Sequence, residues 1–247
     1  RLENNEAVAA FVRKNEPQWI FNAAAMTDVD AAHLNPDRAL NVNGLAPGVL
    51  ASSAHDVGAR VIHISSEAVY HGSKKEPYVE GEACQPVSVY GASKLTGDLL
   101  TLTYSPDSFV LRTSWLYSKQ PGSNFPTRIL DQLSEPTKKV SVVTDIVGNP
   151  TPTTLLIDAS ASILENPPAP GVYHVCAGGS ASKFDWAIEI AASHGHDPTR
   201  IVKVTSDEYE TIAKRPKHVD LDCSKFDATG LLELPHWREA WVASRTG

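Results

Sequence analysis

The sequence predicts an α/β protein built on a Rossmann-like, doubly wound parallel sheet. Two observations carry that expectation. Short β-branched or aromatic runs alternate along the chain with longer stretches at helical spacing. The runs are mainly apolar, as suits strands covered on both faces by right-handed crossover helices. The composition agrees: of 247 residues, 42% are hydrophobic and 21% charged, which is globular rather than disordered or fibrous.

The chain begins with a helical stretch at 5–15, followed by a strand at 18–23. A long helical pattern then covers 36–57, with Pro47 predicting a break or a fresh start inside it, because proline removes an amide donor and suits a first turn. A strand at 60–65, a helix at 89–104 and a strand at 108–114 continue the alternation. A helix at 125–133 and a strand at 139–145 follow. Beyond Asp145 the texture changes. Proline-rich turns at 148–152 and 166–171 flank a helix at 153–165, and a strand at 172–176 and a helix at 181–194 come after them. We therefore expect a partial Rossmann-like catalytic domain over 1–145. A smaller, mostly helical substrate lobe is expected over 146–247, with some segments of it returning to the sheet.

The net charge of −7 excludes a general nucleic-acid or anionic-membrane binder, which carries a basic face. Cys84, Cys176 and Cys223 form no CxxC or Cys/His spacing and read as reduced thiols of a cytoplasmic protein. No apolar stretch reaches membrane-spanning length, no signal peptide is visible, and the chain opens Arg1-Leu2-Glu3 without an initiator Met. The histidines and acidic residues show no metal-ligand spacing, so no metal site is expected from them; His194-Gly195-His196 reads as a helix C-terminus.

The strongest chemical signal is Tyr90-Gly91-Ala92-Ser93-Lys94. Residues four apart share a helix face, so the phenol and the ammonium can serve one site. A phenol with a pKa of about 10 is a poor acid at neutral pH, and a nearby cation is expected to lower that pKa. A second copy, Tyr70-His71-Gly72-Ser73-Lys74, directly follows a strand, contains Gly72 and runs into Lys75-Glu76-Pro77; it predicts a loop. Ser65 and Ser66 form a hydroxyl pair at a strand's C-terminal end, where open α/β sheets bind ligands.

Ser66, Tyr90 and Lys94 together resemble the Ser/Thr–Tyr–Lys triad of extended short-chain dehydrogenases/reductases. The blocks Asn22-Ala23-Ala24-Ala25-Met26-Thr27-Asp28-Val29-Asp30, Ser65-Ser66-Glu67-Ala68-Val69-Tyr70, Arg112-Thr113-Ser114-Trp115-Leu116-Tyr117 and Gly148-Asn149-Pro150-Thr151 resemble, within that group, the dTDP-4-dehydrorhamnose reductases. Gly171-Val172-Tyr173-His174 and Lys214-Arg215-Pro216 extend the likeness over nearly the whole chain. Within the likeness, Ser66 stands for the usual threonine, Glu67 for the usual aspartate, and Ala68 where an aromatic is common.

The resemblance implies NADPH- or NADH-dependent reduction of the 4-keto group of dTDP-4-dehydro-6-deoxy-L-mannose to dTDP-L-rhamnose. Tyr90 would protonate the new alkoxide, Lys94 would hold the nicotinamide ribose, and Ser66 would orient the ketone. Ala23, Ala24, Ala25, Ser65, Thr113 and Ser114 would border the cofactor. Thr27, Val29 and Trp115 would contact the sugar or nucleotide, and Arg215 the diphosphate, which a guanidinium fork matches. A homodimer, in some relatives with magnesium at the interface, is also implied. Two other readings stay open: a nucleotide-sugar epimerase or dehydratase, and a non-catalytic partner resembling the regulatory subunit of methionine adenosyltransferase at Arg215-Pro216 and Leu221-Asp222-Cys223-Ser224-Lys225. The glycine-rich strand–turn–helix that holds a pyrophosphate in such folds does not occur in the sequence, so an N-terminally incomplete chain, or an upstream segment of a longer polypeptide, is expected.

Overall fold

A computed structural model describes residues 2–118 and 124–246. The chain opens with α1 (Asn5–Asn15), capped by the Asn4 side chain, which accepts from the Ala7 amide. It leads into β1 (Trp19–Asn22). The short helices α2 (Val29–Leu34) and α3 (Pro36–Leu40) run through a π-helical turn, Asn41–Leu45, into α4 (Ala46–Asp56). Pro47 therefore does not break the path: it sits in the first turn of α4, where its missing N–H costs nothing. Then come β2 (Arg60–Ser66), α5 (Val89–Tyr104) and β3 (Phe109–Thr113).

The second half supplies β4 (Leu116–Tyr117), α6 (Phe125–Leu133), β5 (Val140–Val143), β6 (Val147–Gly148), β7 (Thr151–Pro152), α7 (Thr153–Glu165) and β8 (Gly171–His174). It ends with β9 (Ala181–Ser182), α8 (Lys183–Ser193), β10 (Ile201–Val204), α9 (Ser224–Asp227) and α10 (Trp237–Thr246). None of the helices among the described residues is long and apolar enough to cross a membrane.

The main sheet has the order β1-β2-β3-β8 with every pairing parallel, as the buried apolar strands require. One face packs Val61 and Ala59 against Ala51 and Ala54 of α4. The other packs Ile62, Phe109, Leu111 and Tyr173 against Leu156, Ala159 and Ile163 of α7 and Phe226 of α9. Thus α7 and β8 return to the sheet from the second half. The expected strand at 139–145 forms instead β5 of a separate pair with β10. That pair belongs to a second core containing Tyr117, Ile129, Leu133, Trp186, Trp237 and Trp241. Cys176 and Cys223, remote in sequence, lie with their sulfurs 3.2 Å apart as free thiols.

Candidate active site

The site forms where α5 meets the C-terminal end of β2. Ser88 caps α5 by accepting from the Gly91 amide, which fixes the start of the helix directly before Tyr90. Gly91 is required by approach: a methyl group there would run into the Ala68 carbonyl, so only glycine lets α5 lie against the 67–69 turn. One helical turn on, Lys94 is 2% exposed and donates to the Ile64 carbonyl of β2 at 2.6 Å. Its Nζ also lies 3.4 Å from His63 Nε2. Ser66, buried at the tip of the same strand, accepts from the Ala68 amide at 3.2 Å and donates to Glu67 Oε2 at 2.7 Å.

The electrostatics depart from the sequence expectation. Tyr90 is not depressed by Lys94. Burial and the Glu67 carboxylate hold its hydroxyl above the ordinary phenol range, while the Ser66 hydroxyl pulls the other way. Lys94 is the group that gives way: burial brings its ammonium down to about 8, partly offset by the Asp98 carboxylate one turn along α5. The phenol is therefore a firmly protonated donor, and the lysine is the group whose charge changes near neutrality.

The other expected residues lie on several elements. Ala23 and Ala24 are exposed and Ala25 half-buried just past β1. The fully buried Asn43 holds this segment: its side chain pairs with both the amide and the carbonyl of Met26 and donates to Ser93 Oγ on α5. Asn43 was not among the residues expected at the site. Nothing in the sequence sets Asn43 apart from Asn41 two positions earlier, and the π turn that aims it cannot be read from spacing. Ser65 and Thr113 are buried at the ends of β2 and β3, and Thr113 Oγ1 has no hydrogen-bond partner among the described residues. Ser114 accepts from the Asn149 amide at 3.1 Å and so ties the 148–152 turn to β3.

Trp115 stands in the left-handed region, with φ 41, and its indole packs against the second core. A Cβ at Gly148 would come within 2.6 Å of the indole. The Lys183 amine lies 3.4 Å from the indole centroid, with Phe125 and Trp186 around it. Burial pushes that amine well down, against the pull of the Glu67 carboxylate. Lys183 and Glu67 were likewise not expected as site groups. Thr27 is exposed and Val29 half-buried. The expected diphosphate ligand Arg215 pairs with Asp30 of α2 at 3.0 Å and donates to the Ala213 carbonyl, so it sits beside Val29 in an ion pair. No group of three or more His, Cys, Asp or Glu side chains among the described residues is placed to hold a metal, so magnesium finds no donor cluster there.

The second Tyr-x-x-x-Lys copy is not helical. Tyr70 lies buried between Arg112 and His174, while Lys74 turns away to Glu82.

A family model described as the RmlD substrate binding domain matches residues 1–245. The chain belongs to that family. This RmlD-family chain is 35% identical over 240 residues to a dTDP-4-dehydrorhamnose reductase of Mycolicibacterium smegmatis, covering 97% of this chain and 72% of the relative. It is 35% identical to the enzyme of that name from Escherichia coli K12, covering 96% and 82%. A crystal structure of the Bacillus anthracis dTDP-4-dehydrorhamnose reductase in complex with NADP superposes with a TM-score of 0.92 at 29% identity, over 99% of this chain and 85% of that one.

Proposed function

We propose that this RmlD-family oxidoreductase reduces the 4-keto group of dTDP-4-dehydro-6-deoxy-L-mannose to the alcohol of dTDP-L-rhamnose, with NADPH as the donor. The observation that carries the proposal is the packing of Tyr90, Lys94 and Ser66 around one strand tip, in a family whose named members carry out that reduction. The NADP bound by the Bacillus anthracis relative supports the choice of cofactor.

The residues at hand suit a nicotinamide cofactor. Small side chains at Ala23–Ala25 leave the end of β1 open to close approach, and Thr113 Oγ1, without a hydrogen-bond partner among the described residues, stands at the end of β3. When bound, that cofactor supplies hydride to the ketone carbon. Tyr90 gives its proton to the ketone oxygen as negative charge develops there; its elevated pKa keeps the proton in place until then. Lys94, while charged, stabilises the phenolate left behind and is held in line by the Ile64 carbonyl. Ser66 orients the ketone, Trp115 presents an aromatic wall to the sugar, and Thr27 and Val29 border the nucleotide. Arg215 reaches the diphosphate if substrate draws it from Asp30. The working division is a catalytic half over 1–145 and a substrate lobe over 146–247, with α7 and β8 completing the sheet.

The test is a coupled measurement of cofactor and product. Incubation with NADPH and the 4-ketosugar nucleotide is expected to consume one NADPH per product and to add two hydrogens to the sugar. Sugar conversion without net NADPH consumption would instead support an epimerase or dehydratase, and cofactor binding without conversion a non-catalytic partner.

A further inference from the structure

The Ser66 hydroxyl has one hydrogen and two lone pairs. The Ala68 amide takes a lone pair at 3.2 Å, and the hydrogen is directed at Glu67 Oε2, 2.7 Å away. A hydroxyl committed in that way has nothing to donate to a ketone. The short contact admits a second polarity. If Glu67 carries a proton, the carboxylic acid donates to Ser66 Oγ over the same distance, and the Ser66 hydrogen is free to swing to the substrate.

We infer that Glu67 is a positioning residue that sets the direction of the Ser66 hydroxyl: in its acid form it turns the Ser66 hydrogen toward the ketone, and in its carboxylate form it withdraws it. The inference rests on the reductase reading of the same site.

Three further observations agree with it. Glu67 makes no ion pair among the described residues and sits in the tight 67–69 turn, half-buried. The titratable groups that face it are Tyr90 from α5, Lys183 from the start of α8 and Cys176 beyond β8. Burial raises the Glu67 carboxyl, with the Ser66 hydroxyl and Lys183 pulling against it. Burial also lowers the Lys183 ammonium, against the pull of the Glu67 carboxylate, and its amine lies over the rings of Trp115, Phe125 and Trp186 rather than in an ion pair with Glu67 among the described residues.

The experiment is the pH profile of kcat/KM for ketosugar reduction in wild type, Glu67→Gln, Glu67→Ala and Ser66→Ala, with infrared titration of the protonated carboxyl band run alongside. Wild type should descend in two steps as pH rises, the first from Glu67 losing its proton and the second at about 8 from Lys94. Glu67→Gln should lose the first step and keep the second, because the amide donates to Ser66 at every pH. Glu67→Ala should also lack the first step, and Ser66→Ala should lack it while losing on the order of 10²-fold in rate. The infrared arm needs no turnover. Wild type should show a titrating acid band absent in Glu67→Gln, with its midpoint moved up in Ser66→Ala because a hydrogen bond to the carboxylate is lost.

A first step that persists in Glu67→Gln or Ser66→Ala overturns the inference. So does the absence of the band, or an unmoved midpoint. If wild type reduces no ketosugar while the band titrates and shifts as described, the hydroxyl switch stands and the reductase reading fails.

Discussion

The chain carries the pattern Tyr-x-x-x-Lys twice, and the two copies have opposite fates. In residues 90–94 the pattern lies on α5, so the phenol and ammonium both face the tip of β2. In residues 70–74 it follows the 67–69 turn into loop: Tyr70 goes inward to Arg112 and His174, and Lys74 outward to Glu82. Both tyrosine hydroxyls are raised mainly by burial. The perturbed phenol therefore does not mark the site. What distinguishes the copies is the lysine, buried at Lys94 and 28% exposed at Lys74. A motif becomes a site when its backbone delivers both ends to one place, and here helical phase does that.

The sharpest contrast is between the lysines. Lys94→Met should lower kcat on the order of 10²-fold, while Lys74→Met should leave it within about twofold, read by NADPH absorbance. The same pair separates in stability. Lys94 has a folded pKa of about 8 against an ordinary 10.5, so between those values the unfolded chain binds more protons and wild-type stability should rise with pH. Lys94→Met should abolish that rise and be the more stable protein at pH 7, by about 1–3 kcal/mol, in denaturant melts. A Lys94→Met variant that melts earlier than wild type at pH 7 would show the ammonium to be well solvated, contrary to its burial.

Tyr70→Phe should cost about 1–3 kcal/mol, since it strips a partner from the buried Arg112 guanidinium, with little change in kcat. The smallest effect belongs to Lys74→Met in stability: its ion pair with Glu82 is partly exposed and should contribute no more than about 1 kcal/mol.

Much of this was legible in the sequence because local chemistry settled it. The helices at 5–15, 89–104 and 125–133 begin at Asn4, Ser88 and Asn124, each of which caps its helix through a side-chain oxygen. Gly72 and the following Lys-Glu-Pro told the second copy from the first. What stayed hidden depends on partners far along the chain. The strand β5 reads like any strand of the main sheet, but its partner β10 lies some sixty residues on, and the two form a separate sheet. Helix α2 spans only six residues and owes its start to Asp28, whose side chain accepts from the Asp30 and Ala31 amides. So short a helix offers too little periodicity to be read from the sequence. At the site, Asn43 is aimed by a π turn, and Lys183 is a helix-start lysine whose aromatic surroundings come from Trp115, Phe125 and Trp186. Glu67 departs from the usual aspartate, but its hold on Ser66 appears only in three dimensions.

The most direct test of the convergence at positions 66, 90 and 94 compares Tyr90→Phe with Tyr70→Phe in ketosugar-dependent NADPH oxidation. Tyr90→Phe should lose about 10²–10⁴-fold in kcat while its affinity for NADPH holds, and Tyr70→Phe should stay within a few-fold of wild type. Equal losses in the two variants, or a Tyr90→Phe protein that still turns over at the wild-type rate, would contradict the assignment of the proton donor and with it the site.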